Sequence, residues 1–222
     1  MLSNRREIAF MVMAGIFITS AIVAELISCK IVDIGIYPII AGIVPWPIVF
    51  LLTDVMNDYF GKKAVKRLSW ITCGLIAFCF LIVFIAVKLP TATGSPVTSE
   101  QFNLIFSGSL PIMVGSITAF ILSQLLDVRL FELFNRLTKG KMIWLRSTGS
   151  TVVSQLVDSY TVLLIGFLLP GAITFEQFLL FGITGYVTKL VIAVLLTPLV
   201  YVMHAIAKPL LGEKHTAISS EI

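Results

Sequence analysis

Charge is what this 222-residue chain lacks most. Only 13% of its residues are Asp, Glu, Lys or Arg, against 58% hydrophobic residues and a mean hydropathy of +1.01. Soluble domains carry about 25% charged residues. The shortage excludes a water-soluble globule and implies one polytopic membrane domain over residues 1–222. Cysteine is scarce too: Cys29, Cys73 and Cys79 have neither metal-ligand nor disulfide spacing. Cys73 and Cys79 fall in one apolar span, where packing suffices to explain them. His204 and His215 lie near or beyond the end of the last apolar stretch, so no His-based metal centre or catalytic triad forms with intramembrane carboxylates. There is no Gly-Lys-Ser/Thr phosphate loop, so the chain is not itself an ATPase. The aspartates in apolar stretches are not followed by glycine as in intramembrane aspartyl proteases. Neither enzyme activity nor a cofactor is expected. The net charge of +4 is no nucleic-acid signal, because the basic residues gather in particular loops.

What is abundant is long apolar sequence. A spanning helix needs roughly 20 mostly apolar residues. Six candidates follow, at 8–28, 38–57, 67–88, 108–131, 145–169 and 176–206, giving an all-α bundle of six transmembrane helices in a lipid bilayer. Pro38, Pro45, Pro47 and Gly42 interrupt the second, a break tolerated where backbone is buried or lines a cavity. The sixth is long enough to tilt, or to bend near Pro198. The first lacks a small-residue cleavage site and reads as a retained helix.

The basic residues alternate between the two sides. Arg5 and Arg6 precede span 1, Lys62, Lys63, Lys66 and Arg67 follow span 2, Arg129, Arg136, Lys139, Lys141 and Arg146 surround the loop after span 4, and Lys208 and Lys214 end the chain. The opposite side has only Lys30 and Lys88. The positive-inside rule therefore places both termini in the cytoplasm, with 89–107 as the longest outer loop.

Polar residues inside the spans are candidates for function. Ser123-Gln124-Leu125-Leu126-Asp127 and Ser154-Gln155-Leu156-Val157-Asp158 repeat one pattern in spans 4 and 5. Residues three and four apart share a helix face, so each span presents a hydroxyl, an amide and a carboxylate in one stripe. A carboxylate facing hydrocarbon costs about 2.5–3.5 kcal/mol or more. Interhelical hydrogen bonding accounts for the serines, including Ser116. Asp158, near mid-span, points instead to a solute site. Asp127 lies in the cytoplasmic third, where Arg129 or Arg146 can pair with it.

Asp54 and Asp58 are like-charged at i, i+4 and flank Asn57 at the end of span 2, so a base such as Lys62, Lys66 or Arg67 is expected nearby. Solvated charges at a helix end explain part of this motif, but Asp54 follows directly on Val49–Thr53 and can be drawn into the bundle. Gly61 reads as the helix C-cap. Glu25 and Lys30, at the outer end of span 1, are expected to pair or to snorkel outward. Lys189 lies about 20 Å into span 6 at 1.5 Å per residue. An ammonium at that depth needs a carboxylate, and Asp158 or Asp127 is the expected partner.

The chain resembles the queuosine precursor transporters, a bacterial inner-membrane family related to vitamin uptake proteins. The resemblance rests on Asp54-Val55-Met56-Asn57-Asp58-Tyr59-Phe60-Gly61, on Arg146-Ser147 with Ser154-Gln155-Leu156-Val157-Asp158, and on Lys189 with Thr197-Pro198. Where the family often has Glu-Tyr-Gly, this chain has Asp58-Tyr59-Phe60-Gly61, which keeps the carboxylate. The resemblance implies uptake of 7-cyano-7-deazaguanine and its aminomethyl relative. The polar stripes, the intramembrane charges and these motifs together give the expected site residues Asp158, Gln155, Ser154, Asp127, Gln124, Lys189, Arg146, Asp54 and Asn57.

Such a substrate fits the residue types. A deazaguanine offers N–H donors on one edge for a carboxylate, and a carbonyl oxygen for Gln, Arg or Lys. Its flat face takes an aromatic or apolar wall, for which Phe120 and Phe181 are candidates. The expected function is alternating-access import with the site between spans 4, 5 and 6. A substrate-binding subunit served by an external ATPase, and a membrane scaffold held by polar stripes, are the competing readings. Homodimerisation is left open.

Overall fold

The computed structural model describes residues 5–33, 35, 37–138 and 143–211. It is mostly helical: α1 (Arg5–Ile27), α2 (Trp46–Phe60), α3 (Lys62–Lys88), α4 (Ser99–Leu137), α5 (Ile143–Leu163, continued by a π-helical turn Leu164–Leu168) and α6 (Phe175–Leu211). Among the described residues, α1, α3, α4 and α6 each contain a stretch long and apolar enough to cross a membrane, and Val152–Leu168 forms a shorter apolar helix. Exposed apolar side chains stud the outside, notably Ile71, Phe78, Leu81, Ile82 and Ile85 on α3 and Val187, Val191, Val194 and Leu195 on α6. Such surface is costly in water and suited to lipid.

The second apolar stretch departs from a continuous helix. Residues 38–45 form β2 (Pro38–Ile40), a 3-10 turn (Ala41–Ile43) and a bend, and helix begins only at Trp46. Proline has no N–H to give a helix interior but is at home in the first turn. Pro45 accordingly caps α2 and Pro47 sits in its first turn. At 15 residues α2 rises about 22 Å, short of the roughly 30 Å hydrocarbon core. β2 pairs antiparallel with β1 (Ile31–Asp33), in the register Ile31↔Ile40, Val32↔Ile39 and Asp33↔Pro38, which satisfies backbone groups that a broken helix leaves open.

This hairpin lies beside the bundle's interior. Ser109 Oγ donates to the Leu26 carbonyl at 2.9 Å, so α1 ends level with a residue about 15 Å into α4. Gly42 packs so tightly that a Cβ there would sit 2.9 Å from the Ala24 carbonyl oxygen.

Two helices open on capping boxes that hydropathy does not register. Residues 89–107 are expected as a loop, yet α4 begins at Ser99. Thr98 Oγ1 accepts from Gln101 N at 3.2 Å while Gln101 Oε1 accepts from Thr98 N at 3.1 Å. The same reciprocal bonds join Thr174 and Gln177 at the head of α6. Each capping box satisfies amides that would otherwise be open.

Among the described residues packing gathers into two larger apolar clusters and a small one of Val55 and Tyr59. Phe17, Val49, Leu52, Met56, Val65 and Leu68 join α1, α2 and α3. Ile112, Leu163, Phe167, Ile173 and Phe181 join α4, the π-helical turn and α6. In lipid, close approach rather than hydrophobic drive holds helices together, and small residues permit it. The π-helical turn presents Gly166 to α4, where a Cβ would lie 3.0 Å from Ile112 Cα. Gly166→Leu is therefore expected to lower membrane abundance and thermal stability in detergent, by about 1–3 kcal/mol of overpacking. Unchanged melting would show that the helices separate there without penalty.

Candidate functional site

α1 carries a buried stripe: Phe17, Ala21, Ala24, Glu25 and, just past its end, Ser28. The spacing keeps these residues on one helical face. Glu25, only 7% exposed, therefore points inward rather than outward, and accepts a hydrogen bond at Oε2 from Ser116 Oγ of α4 at 2.7 Å. This corrects the expectation that Glu25 pairs with Lys30 or snorkels. Lys30 is exposed.

Lys189 of α6 reaches the same region. Its Nζ lies 3.2 Å from Asp158 Oδ2 of α5 and donates also to Ser159 Oγ at 3.1 Å. Of the two aspartates expected as partners, Asp158 is the one reached. Both charges lie within electrostatic range of Glu25. The ammonium sits 5.5 Å from the centroid of Trp46, at the start of α2. A cation over an indole gains about 0.5–2 kcal/mol, more as water is excluded. Beside it, Tyr37 of the hairpin and Thr188 of α6 share a hydrogen bond of 2.7 Å.

Five helices thus send side chains to one locality: Glu25, Trp46, Ser116, Asp158 with Ser159, and Lys189 with Thr188. The set holds two carboxylates and one ammonium. Such a group is expensive away from water unless mutually bonded. The side chains of Lys189 and Asp158 keep 17% and 19% exposure, so the pair is not fully enclosed by the bundle. Donors, acceptors and an indole face in one place can bind a flat polar molecule; the described residues hold no group of three or more metal-binding side chains.

The remaining sequence candidates are distributed differently. Ser154 is buried one turn from Asp158, and Gln155 and Gln124 are half-buried. Asp54 is exposed and Asn57 half-buried, eight and eleven residues beyond Trp46, or about 12 and 17 Å along α2. They belong to a second locality. There Gly61, at φ +82°, turns the chain from α2 into α3, and Asn57 O accepts from Gly61 N at 3.0 Å. Arg6 of α1 donates to the Tyr59 carbonyl and lies 5.5 Å from the Phe60 ring, placing positive charge at a helix C-terminus. The side chains of Asp127 and Arg146 lie outside the described residues, as do 139–142 and 212–222. Phe120 packs edge-on against Trp70 at 5.2 Å, and Phe181 lies in the second apolar cluster. Trp46, rather than either of them, is the ring beside Lys189.

The geometry is matched by kinship. Residues 40–203 fit the family model described as "Putative vitamin uptake transporter". The chain belongs to this family. It is 30% identical over 163 residues to a "Probable queuosine precursor transporter" of Bacillus subtilis, covering 72% of this chain and 69% of the relative. It is 26% identical over 157 residues to a protein of the same description from Haemophilus influenzae, covering 70% and 63%. It is 27% identical over 161 residues to the "Queuosine precursor transporter" of Escherichia coli, covering 69% and 66%. The chain thus spans about two thirds of these relatives' lengths. No solved structure matches it. Family membership and the apolar helices make it a multi-pass membrane transporter and not an enzyme. The segment shared with the family contains Trp46, Asp54, Asn57, Ser116, Asp158 and Lys189, while Glu25 and Tyr37 precede it.

Proposed function

We propose that this transporter imports a queuosine precursor, 7-cyano-7-deazaguanine or its aminomethyl relative, across the bacterial inner membrane by alternating access. The observation that carries the reading is the Lys189–Asp158 pair within the bundle, flanked by Trp46 and only partly buried. Intramembrane charges mark solute pathways by default. Lys189 can donate to the carbonyl oxygen of the base, and the carboxylates can accept from its N–H groups. Substrate then shares the Lys189 ammonium with Asp158. A scaffold held by interhelical bonds needs neither the excess carboxylate nor a pair left partly exposed. Purified protein in liposomes, without ATP or any other subunit, is expected to take up radiolabelled 7-cyano-7-deazaguanine. Binding without uptake would favour an ATP-driven partner, and absence of both would favour the scaffold.

Both termini are assigned to the cytoplasm on the distribution of basic residues. In a background with Cys29, Cys73 and Cys79 replaced, a cysteine at Thr98 is expected to react with an impermeant thiol reagent added to spheroplasts. A cysteine at Lys139 is expected to stay unlabelled. Labelling at Lys139 from outside would invert the orientation, and with it the direction from which the site first opens.

A further inference from the structure

The carboxylate that recognises the base is a question within the proposed function, and Asp158 is not the best placed answer. Its Oδ2 is held by Lys189, whose other hydrogen bond goes to Ser159. Glu25 differs in two ways. It is more buried, at 7% exposure. It has no basic partner in direct contact among the described residues. As at Asp158, one carboxylate oxygen is without a hydrogen bond among the described residues, Oε2 alone being occupied, by Ser116; at Glu25 that free oxygen belongs to the more deeply buried side chain and faces no ammonium in direct contact. A buried carboxylate oxygen without a donor is costly, so such a group points to a ligand that supplies one.

We infer that Glu25 is the specificity residue of this site, reading the paired ring N–H and exocyclic amine of a guanine-type base whose carbonyl oxygen takes Lys189 and whose face lies on Trp46. The inference rests on the proposed import of a deazaguanine. The chemistry is that of an amidine edge: two parallel N–H donors meet a carboxylate better than any neutral acceptor. Glu25 and Lys189 lie within electrostatic range of one another, as the carboxylate and ammonium must if one ring is to bridge them. Trp46 is already beside the ammonium. Asp158 keeps the task of holding Lys189 in place. Removing the exocyclic amine from the ligand leaves part of a buried carboxylate unpaired, and sites built to hydrogen-bond a group reject analogues lacking it.

The test compares two ligands on purified full-length protein: 7-cyano-7-deazaguanine and the same ring without the exocyclic amine. Wild type is expected to prefer the first by at least about tenfold in Kd. In Glu25→Gln, whose amide can still accept from Ser116, that preference should fall to within about threefold. In Asp158→Asn both ligands should weaken while their ratio persists. A preference retained in Glu25→Gln, or lost in Asp158→Asn instead, would overturn the assignment of Glu25 and leave the transport function standing. Equal binding of both ligands by wild type would do the same. Failure of wild type to bind either would remove the function and the inference together. Wild type alone supplies a second measurement, should Glu25→Gln not fold. A hydrophobic carbodiimide should label Glu25, read by peptide mass spectrometry, and saturating 7-cyano-7-deazaguanine should suppress the label. Undiminished labelling with ligand bound would place the base elsewhere.

Discussion

Lys189→Ala is expected to deplete the protein from the membrane and to abolish uptake. In the native site the ammonium serves Asp158 at 3.2 Å and Ser159 at 3.1 Å, and stands near Glu25. Its removal leaves two carboxylates close together with no cation in direct contact. Breaking a buried pair by removing one partner costs about 3–5 kcal/mol, much of a domain's whole stability of about 5–15 kcal/mol. The double variant Lys189→Met with Asp158→Asn removes both charges of the pair and keeps most of the volume. Abundance should then recover in good part, Glu25 retaining its Ser116 bond, while uptake stays absent. Immunoblots of membranes and uptake assays on the single and double variants check this. Normal abundance and transport in Lys189→Ala would mean that the lysine faces water and holds nothing together. A double variant no more abundant than its singles would mean that the ion pair is not the unit of stability.

Asp158→Asn is expected to have the opposite balance, with a large loss of uptake and a smaller loss of protein. Lys189 still has Ser159 as acceptor, Trp46 as neighbour and Glu25 within electrostatic range. The asparagine amide, however, replaces the carboxylate that holds the ammonium and brings an N–H₂ group to where Lys189 needs an acceptor, so the lysine is no longer positioned for the base. Loss of a hydrogen bond to a charged group costs about 1.5–3 kcal/mol, which is tenfold or more in affinity. Concentration-dependent uptake in cells with matched membrane abundance measures it. Wild-type affinity in a normally expressed Asp158→Asn protein would remove Asp158 from the site.

The Lys189–Asp158 contact was legible in the sequence because each residue alone is intolerable in an apolar span, and need identifies the partner. Choosing Asp158 over Asp127 required the packing of α5 on α6. Glu25 was misread for an instructive reason. Its place near the end of α1 suggested the membrane interface, where acidic side chains are cheap. Its periodicity said otherwise: Phe17, Ala21, Ala24 and Ser28 form an inward stripe of mostly small residues, and Glu25 belongs to it. The broken second span followed from its prolines, but the pairing of β1 with β2 did not, since three-residue strands leave almost no pattern. Tyr37 and Trp46 reach the site only because of that irregular segment. The early start of α4 was legible in Thr98-Ser99-Glu100-Gln101, a capping box that hydropathy alone passes over. Asp54 and Asn57 form a second polar locality on α2, separate from Lys189.

The central claim is import of a queuosine precursor, and one measurement tests it most directly. A bacterial strain unable to make the precursor, and lacking its own transporter, is grown at low external 7-cyano-7-deazaguanine with and without this chain, and queuosine in its transfer RNA is measured. The expected result is queuosine with the chain and none without it, with Asp158→Asn resembling the strain that lacks it. Equal queuosine in the presence and absence of the wild-type chain, in cells whose membranes contain it, would contradict the claim.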